Sequence, residues 1–124
     1  MVAYNFRKQF APDVKSGKKG MTIRRTRRAA VGDIIALYTG QRTKGCKLLG
    51  HGRVLKVDSV TITPDGPFFG NPGLWPAGKH QFAALDGFKS WGDMYQWFRD
   101  TYPEDEPFSG WITTWELVGV EHGD

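Results

Sequence analysis

The sequence predicts an α+β fold, a small closed or nearly closed β-barrel of about five to six strands with two main helices. Sixteen glycines and seven prolines in 124 residues imply many turns, and therefore many short elements. Several runs rich in β-branched and aromatic residues lie between those turns. One longer segment has apolar residues at helical spacing. These features together indicate short strands that curve around a core, with helices packed against them.

The first third of the chain alternates short strands with one short helix. Strands are predicted over Val2 to Phe6, Met21 to Arg25 and Ile34 to Thr39, because these runs are rich in β-forming residues. A helix is predicted over Phe10 to Lys15, with a proline in its first turn and a glycine just beyond its end. Val31 to Asp33 has the composition of a turn.

The remainder contains a long β-prone segment, a helix and a closing strand. Cys46 to Thr63 favours extended structure, and Gly50 and Gly52 within it predict a bulge or a bend. Ser90 to Thr101 has apolar residues at helical spacing behind a serine suited to cap a helix. Trp111 to Val118 alternates in the manner of a strand.

A segment rich in proline and glycine, Pro64 to Gly78, is predicted to be an irregular loop. It carries three aromatic residues, Phe68, Phe69 and Trp75. Aromatic rings at the mouth of a site can stack on nucleic-acid bases. Packing of the loop onto the core is the alternative role, and the sequence slightly favours it.

Charge is divided unevenly along the chain. Residues 1–56 contain fourteen Lys or Arg and two acids, a net charge of +12, whereas residues 57–124 contain three and eleven, a net of −8. A basic half of this kind is typical of proteins that bind phosphate groups, and the acidic half can dock on part of it. The alternative is that charged surface residues are merely spread unevenly.

The rest of the composition excludes several classes of protein. Cys46 is the one cysteine, so an internal disulfide and a zinc site built from cysteines are excluded. The N-terminus lacks the apolar run of a signal peptide, and no apolar stretch approaches the ~20 residues of a membrane helix. We expect a single domain over residues 1–124, cytoplasmic, with no membrane partner, no metal and no cofactor. The oligomeric state stays open.

The most informative stretch is a lysine on a glycine-flanked turn before a strand, Gly17-Lys18-Lys19-Gly20-Met21-Thr22-Ile23-Arg24. Because side chains alternate along a strand, Thr22 and Arg24 share one face. Lys19 precedes the strand and can lean over that face. An ammonium, a hydroxyl and a guanidinium that converge there would form an anion or nucleotide site. Four further basic residues are predicted to contact nucleic acid around it: Arg25, Arg27, Arg42 and Lys44.

The pattern Gly17-x-Lys19-x-x-x-x-Arg24 resembles the signature of the ASCH domain family, whose fold is similar to the PUA RNA-binding domain. The resemblance extends over nearly the whole chain, because the order of predicted elements agrees as well. It implies a PUA-like β-barrel with a positively charged cleft. ASCH domains are proposed to bind RNA by similarity to PUA, so RNA, or a nucleoside or nucleotide, is the partner that the resemblance implies.

One branch of the family is similar to a small amidohydrolase that removes the acetyl group from N4-acetylcytidine. The sites of that branch contain a lysine, a threonine three residues after it, and a glutamate just before the helix late in the chain. The resemblance therefore implies Lys19 as base and Thr22 as nucleophile. Asp86 is the candidate for the carboxylate, although it is one methylene shorter than glutamate and precedes a glycine as turn residues do.

Three functions stay open at this point. The chain is interpreted first as an RNA- or nucleotide-binding module and second as a metal-independent amidohydrolase. The third is a ribonuclease in which Lys19 stabilises charge on the phosphate. No pair of histidines or carboxylates in the sequence supports this third function.

Overall fold

The computed structural model describes residues 1–119. Its regular elements are β1 (Ala3–Phe6), α1 (Ala11–Ser16), β2 (Met21–Arg24), β3 (Ile34–Thr39), β4 (Lys47–Thr63), β5 (Gly66–Phe69), a 3₁₀ helix (Pro72–Leu74), α2 (Lys79–Leu85), α3 (Trp91–Thr101) and β6 (Phe108–Val118). The predicted strands over residues 2–6, 21–25, 34–39, 46–63 and 111–118 are all present. The predicted helices over residues 10–15 and 90–101 are present as well.

The strands form one mixed sheet, so the predicted α+β class is confirmed. The strand order is β1-β3-β4-β6-β2, and β5 pairs with β4 beside this path. Within residues 1–119 the order has two ends, β1 and β2, so the sheet is not closed. Of the predicted closed or nearly closed barrel, the closed form is therefore wrong. Each of these end strands has only four residues. The chain leaves each of them for a turn or an irregular segment, so neither offers a long edge to pair with.

The chain divides into two compact units. The first unit holds residues 1–20, 28–57 and 113–119, and the second unit holds residues 21–27 and 58–112. Both β4 and β6 continue from one unit into the other. Among the described residues, the first unit has eleven Lys or Arg against three acids, a net of +8, and the second has six against eight, a net of −2. The predicted single domain over residues 1–124 stays a prediction.

The first unit is built on β3. Strand β1 runs parallel to β3 and α1 follows β1, while the first part of β4 pairs with β3 in the antiparallel sense. The register shifts between Leu37 and Tyr38, which pair with Gly50 and Leu48, so the predicted bulge or bend is a bulge beside Gly50. The buried core of this unit includes Tyr4, Ile35, Leu37 and Trp115 among other apolar residues.

The second unit packs α2 and α3 against the inner side of β2, β4 and β6. Its buried core includes Met21, Ile23, Val60, Phe82 and Ile112. Helix α3 begins at a serine that caps it as predicted, because the Ser90 hydroxyl accepts a 3.1 Å hydrogen bond from the Asp93 amide.

The segment from Pro64 to Gly78 is more regular than predicted, since it contains β5 and the 3₁₀ helix. Asp58 organises it, because its carboxylate accepts hydrogen bonds from the Asn71 amide at 2.9 Å and from Trp75 Nε1 at 2.8 Å. Trp75 and Phe69 pack on the core side, with ring centroids 5.5 Å apart. Phe68 instead lies 64% exposed. The packing role therefore holds for two of the three aromatic residues.

Helix α2 was not predicted from the sequence. Its N-cap is Gly78, which provides no side-chain hydrogen bond, so no capping signal marks its start. The helix has seven residues and follows a proline-rich segment, so its apolar pattern is too short to identify.

Candidate nucleic-acid interface

Strand β2 presents two different faces within the second unit. Met21 and Ile23 belong to the buried core. Thr22 and Arg24 lie on the opposite face, as the alternation of side chains predicts. Arg24 Nε donates a 2.9 Å hydrogen bond to Thr22 Oγ1, which fixes the plane of the guanidinium beside the hydroxyl. Thr22 is 5% exposed and Arg24 is half-buried, so the pair is recessed.

A glycine lets β6 approach the backbone of β2 closely at Arg24. A Cβ atom added to Gly110 would lie 2.5 Å from the backbone oxygen of Arg24 and 2.8 Å from Cε1 of Phe108. Position 110 therefore allows no side chain without a shift, because real Cβ atoms do not come within 3.0 Å of another heavy atom. Trp111, the next residue on β6, is thereby held beside the end of β2.

Lys19 belongs to the first unit and lies between the end of α1 and β2. The helix ends at Gly17, whose φ of 85° is the left-handed conformation that glycine adopts readily. The chain then turns, and the Lys19 amide donates a 2.9 Å hydrogen bond to the Asp13 carbonyl. The Lys19 ammonium lies 5.0 Å from the centroid of the Phe10 ring. Its side chain is 4% exposed, which distinguishes it from the exposed Lys18.

Asp86 lies in the second unit, where it ends α2. Its amide and that of Gly87 bond to carbonyls of the last turn, and Gly87 has a φ of 88°. The backbone thus forms the turn expected of an Asp-Gly pair. The side chain is 5% exposed, however, so Asp86 is not a solvated turn residue.

The arginines that follow β2 have different surroundings. Arg25 Nη2 lies 2.6 Å from Asp105 Oδ2, and its guanidinium covers the Tyr102 ring at 4.8 Å. Arg27 is exposed, with its guanidinium 5.7 Å from the centroid of the Trp111 ring. The carboxylate of Asp105 competes with phosphate for Arg25, whereas the aromatic face beside Arg27 does not.

The last two predicted contacts lie in the loop between β3 and β4 of the first unit. Arg42 and Lys44 are exposed, and Arg42 has a φ of 66°. Thr43 stabilises the loop, because its hydroxyl donates to the Gly40 carbonyl at 2.6 Å and accepts from the Gly45 amide at 3.1 Å. A role for this loop in binding stays a prediction.

Residues that sequence reasoning missed lie beside Thr22 and Arg24 in the second unit. The sheet order there is β5-β4-β6-β2. Thr61 on β4 pairs with Phe68 on β5, and its Oγ1 lies 3.1 Å from Ser109 Oγ on β6. We call the following residues the outer face: Thr22, Arg24, Thr61, Phe68, Ser109 and Trp111. Alternation on β6 predicts that Ser109 and Trp111 face together, but only the sheet order brings them beside β2.

Two further properties concern residues 1–119. That part of the chain contains no group of three or more His, Cys, Asp or Glu side chains arranged to hold a metal ion. None of its helices has the length and apolar character needed to cross a membrane.

The open sheet with its helices matches the fold of one solved structure. The chain is similar to the crystal structure of ASCH from Zymomonas mobilis, with a TM-score of 0.59 and 16% sequence identity over 92% of this chain. It covers 65% of the length of that protein. Neither a family model nor a curated protein matches the sequence. The similarity shows the fold, and it supports the ASCH resemblance that the lysine and arginine motif indicates.

Proposed function

We propose that this chain binds RNA or a nucleotide, with Thr22 and Arg24 as the centre of the phosphate contact. The observation that carries the proposal is the 2.9 Å hydrogen bond from Arg24 Nε to Thr22 Oγ1 on the side of β2 that faces away from the core. A guanidinium is a planar fork of donors, and the geometry of this fork matches the oxygens of a phosphate.

The surroundings of this pair support an anionic ligand. Burial strengthens electrostatic attraction, because a recessed site is less screened by water and salt than an exposed one. Lys19 precedes Thr22 by three residues and is predicted to add an ammonium to the contact. The PUA-like fold supports RNA as the ligand class.

The proposal is tested by calorimetric titration of cytidine 5′-monophosphate at low salt. Arg24→Ala should weaken binding by about 1–3 kcal/mol, the scale of a hydrogen bond to a charged group. Arg24→Lys should bind the nucleotide little better than Arg24→Ala, because lysine keeps the charge but lacks the planar fork of donors. Thr22→Val should also weaken binding, since it removes the hydroxyl that orients Arg24.

Arg53→Ala is the matched control for these variants. It removes the same charge from an exposed pair with Glu116 in the first unit, where the two groups lie 3.3 Å apart. Equal losses for Arg53→Ala and Arg24→Ala would mean that net charge alone governs binding. Wild-type protein that binds neither the nucleotide nor RNA at low salt would refute the proposal.

A second candidate function is the amidohydrolase, and the burial of three residues favours it. Lys19, Thr22 and Asp86 are 4%, 5% and 5% exposed, whereas solvated turn and strand residues would be open to water. Thr22 Oγ1 accepts a hydrogen bond from Arg24 Nε, so the hydroxyl proton of Thr22 can point towards a base. Thr22 would then attack the acetyl carbonyl of N4-acetylcytidine. The cytidine amine would leave with a proton, and water would release acetate.

The enzymatic candidate is tested by measuring acetate released from N4-acetylcytidine without added metal. Lys19→Ala and Thr22→Val should each abolish turnover, because a base and its nucleophile act as a unit. The matched controls are Lys18→Ala, an exposed neighbour, and Thr101→Val, a threonine at the end of α3. Asp86→Glu should raise the rate if the carboxylate is one methylene too short. Nucleotide binding without any acetate release would leave the binding function alone.

A further inference from the structure

We infer that the outer face of the second unit binds single-stranded RNA, with Trp111 and Phe68 as stacking surfaces for two of its bases. This inference rests on the proposed function, because it extends the contact at Thr22 and Arg24 across the neighbouring strands. It thereby names a single-stranded polymer, rather than a free nucleoside, as the ligand.

The residues of the outer face share one side of the sheet because their neighbours on each strand are in the core. Met21 and Ile23 on β2, Val60 and Ile62 on β4, and Phe108 and Ile112 on β6 all belong to the buried core. Phe69 packs against that core as well. The residues between them therefore face the other way. The Thr61–Ser109 contact at 3.1 Å and the Thr61–Phe68 pairing confirm this alignment across three strands.

The charge of this face is complementary to a phosphate backbone. Arg24 lies on it, and Arg27 lies over the Trp111 ring. Asp65 lies near Phe68 at the other side of this face, where Lys79 lines the same pocket. A polyanion approaching the outer face from β2 meets the guanidinium groups of Arg24 and Arg27.

The two aromatic rings are accessible and well separated. Phe68 is 64% exposed and Trp111 is half-buried. Phe68 on β5 lies two strands away from β6, and Trp111 lies two residues further along β6 than Ser109. The Cα atoms of Phe68 and Trp111 are therefore about 12 Å apart. They therefore receive bases from different nucleotides. Sheets with outward aromatic residues that stack bases are an established means of binding single-stranded RNA.

Arg27 does not block the Trp111 ring permanently. A guanidinium over an exposed ring contributes less than a base stacked on the same ring. Binding therefore lets Arg27 turn to a phosphate while the base takes the indole face. Thr61 and Ser109 lie between the two rings and offer hydroxyls to the sugar or the base edge.

The test compares a labelled single-stranded RNA of about ten nucleotides, within the site sizes of single-strand binding folds, with cytidine 5′-monophosphate. Phe68→Ala and Trp111→Ala should each lower RNA affinity by about 5- to 100-fold, the effect of losing one stacked base. Trp111→Phe should retain most of the affinity, because it keeps a ring. Phe68→Ala should weaken RNA binding far more than mononucleotide binding, since Phe68 lies three strands from Thr22 and Arg24 in the order β5-β4-β6-β2.

Leu85→Ala is the control, because it truncates an apolar side chain of the same unit that is 45% exposed on α2. RNA affinity equal to wild type in both aromatic variants would overturn the inference, and so would equal affinity for a duplex of the same length. If Arg24→Ala still weakened the mononucleotide in that case, the proposed function would stand. Wild-type protein that binds neither ligand would instead refute the proposed function itself.

Discussion

Two arginines that follow β2 differ in their neighbours, and this difference predicts different effects on RNA binding. Arg25→Gln and Arg27→Gln each remove one positive charge from the same short segment. Arg25 lies 2.6 Å from Asp105, whereas Arg27 lies over Trp111 on the proposed RNA-binding side. The two variants therefore form a matched pair with equal change in net charge.

The magnitude follows from counterion release. Each phosphate contact with a single strand contributes about 0.7 to the slope of log affinity against log salt. Arg27→Gln should lower that slope by about 0.7 and weaken binding at low salt. Arg25→Gln should change the slope by much less, because its guanidinium is already neutralised by a carboxylate. It should cost stability only about 0–1 kcal/mol, since the side chains of the pair are 56% and 35% exposed.

The assay is fluorescence anisotropy with the same single-stranded RNA over a series of salt concentrations. Wild type, Arg25→Gln and Arg27→Gln are titrated in parallel, and urea unfolding verifies that each variant is folded. Equal slopes for the two variants would show that only the total charge matters. A larger effect of Arg25→Gln would refute the assignment of the binding side.

Two further predictions concern stability, measured by urea unfolding. Asp58→Ala should lower the free energy of unfolding by about 3 kcal/mol, because it leaves the buried Trp75 indole N–H without its acceptor. A loss of stability below about 0.5 kcal/mol would contradict this role of Asp58. Gly110→Ala should lower the free energy of unfolding by about 1–3 kcal/mol, because the added methyl meets the Arg24 carbonyl oxygen at 2.5 Å. Gly45→Ala is the control and should lower it by less, because the nearest atom to its added methyl is 3.7 Å away.

Local signals in the sequence predicted much of the fold. Strand β3 was predicted at its observed bounds, because a run of β-forming apolar residues is flanked by a turn and a glycine. Helix α3 was predicted because Ser90 provides a cap and its apolar residues follow helical spacing. The face shared by Thr22 and Arg24 was also predicted, since strand alternation alone determines it.

Features that depend on contacts distant in sequence could not be predicted. The open sheet depends on which strands pair at its ends, and the sequence of a strand does not specify its partner. Strand β5 lies in a segment rich in proline and glycine, which does not indicate a strand. It pairs with β4, and Asp58 on β4 holds the residues that follow β5 in place. Trp111 was assigned only to a closing strand, because its position beside β2 follows from the sheet order and from the close approach at Gly110.

RNA that binds at the end of β2 and on the outer face beside it should change the environment of the backbone amides there. Titration of isotope-labelled protein with single-stranded RNA, followed by amide chemical shifts, measures these changes residue by residue. We expect the largest changes at residues 22–27 and 109–111, with smaller changes around Phe68. Changes confined to the loop that carries Arg42 and Lys44, or no changes at low salt, would contradict this expectation.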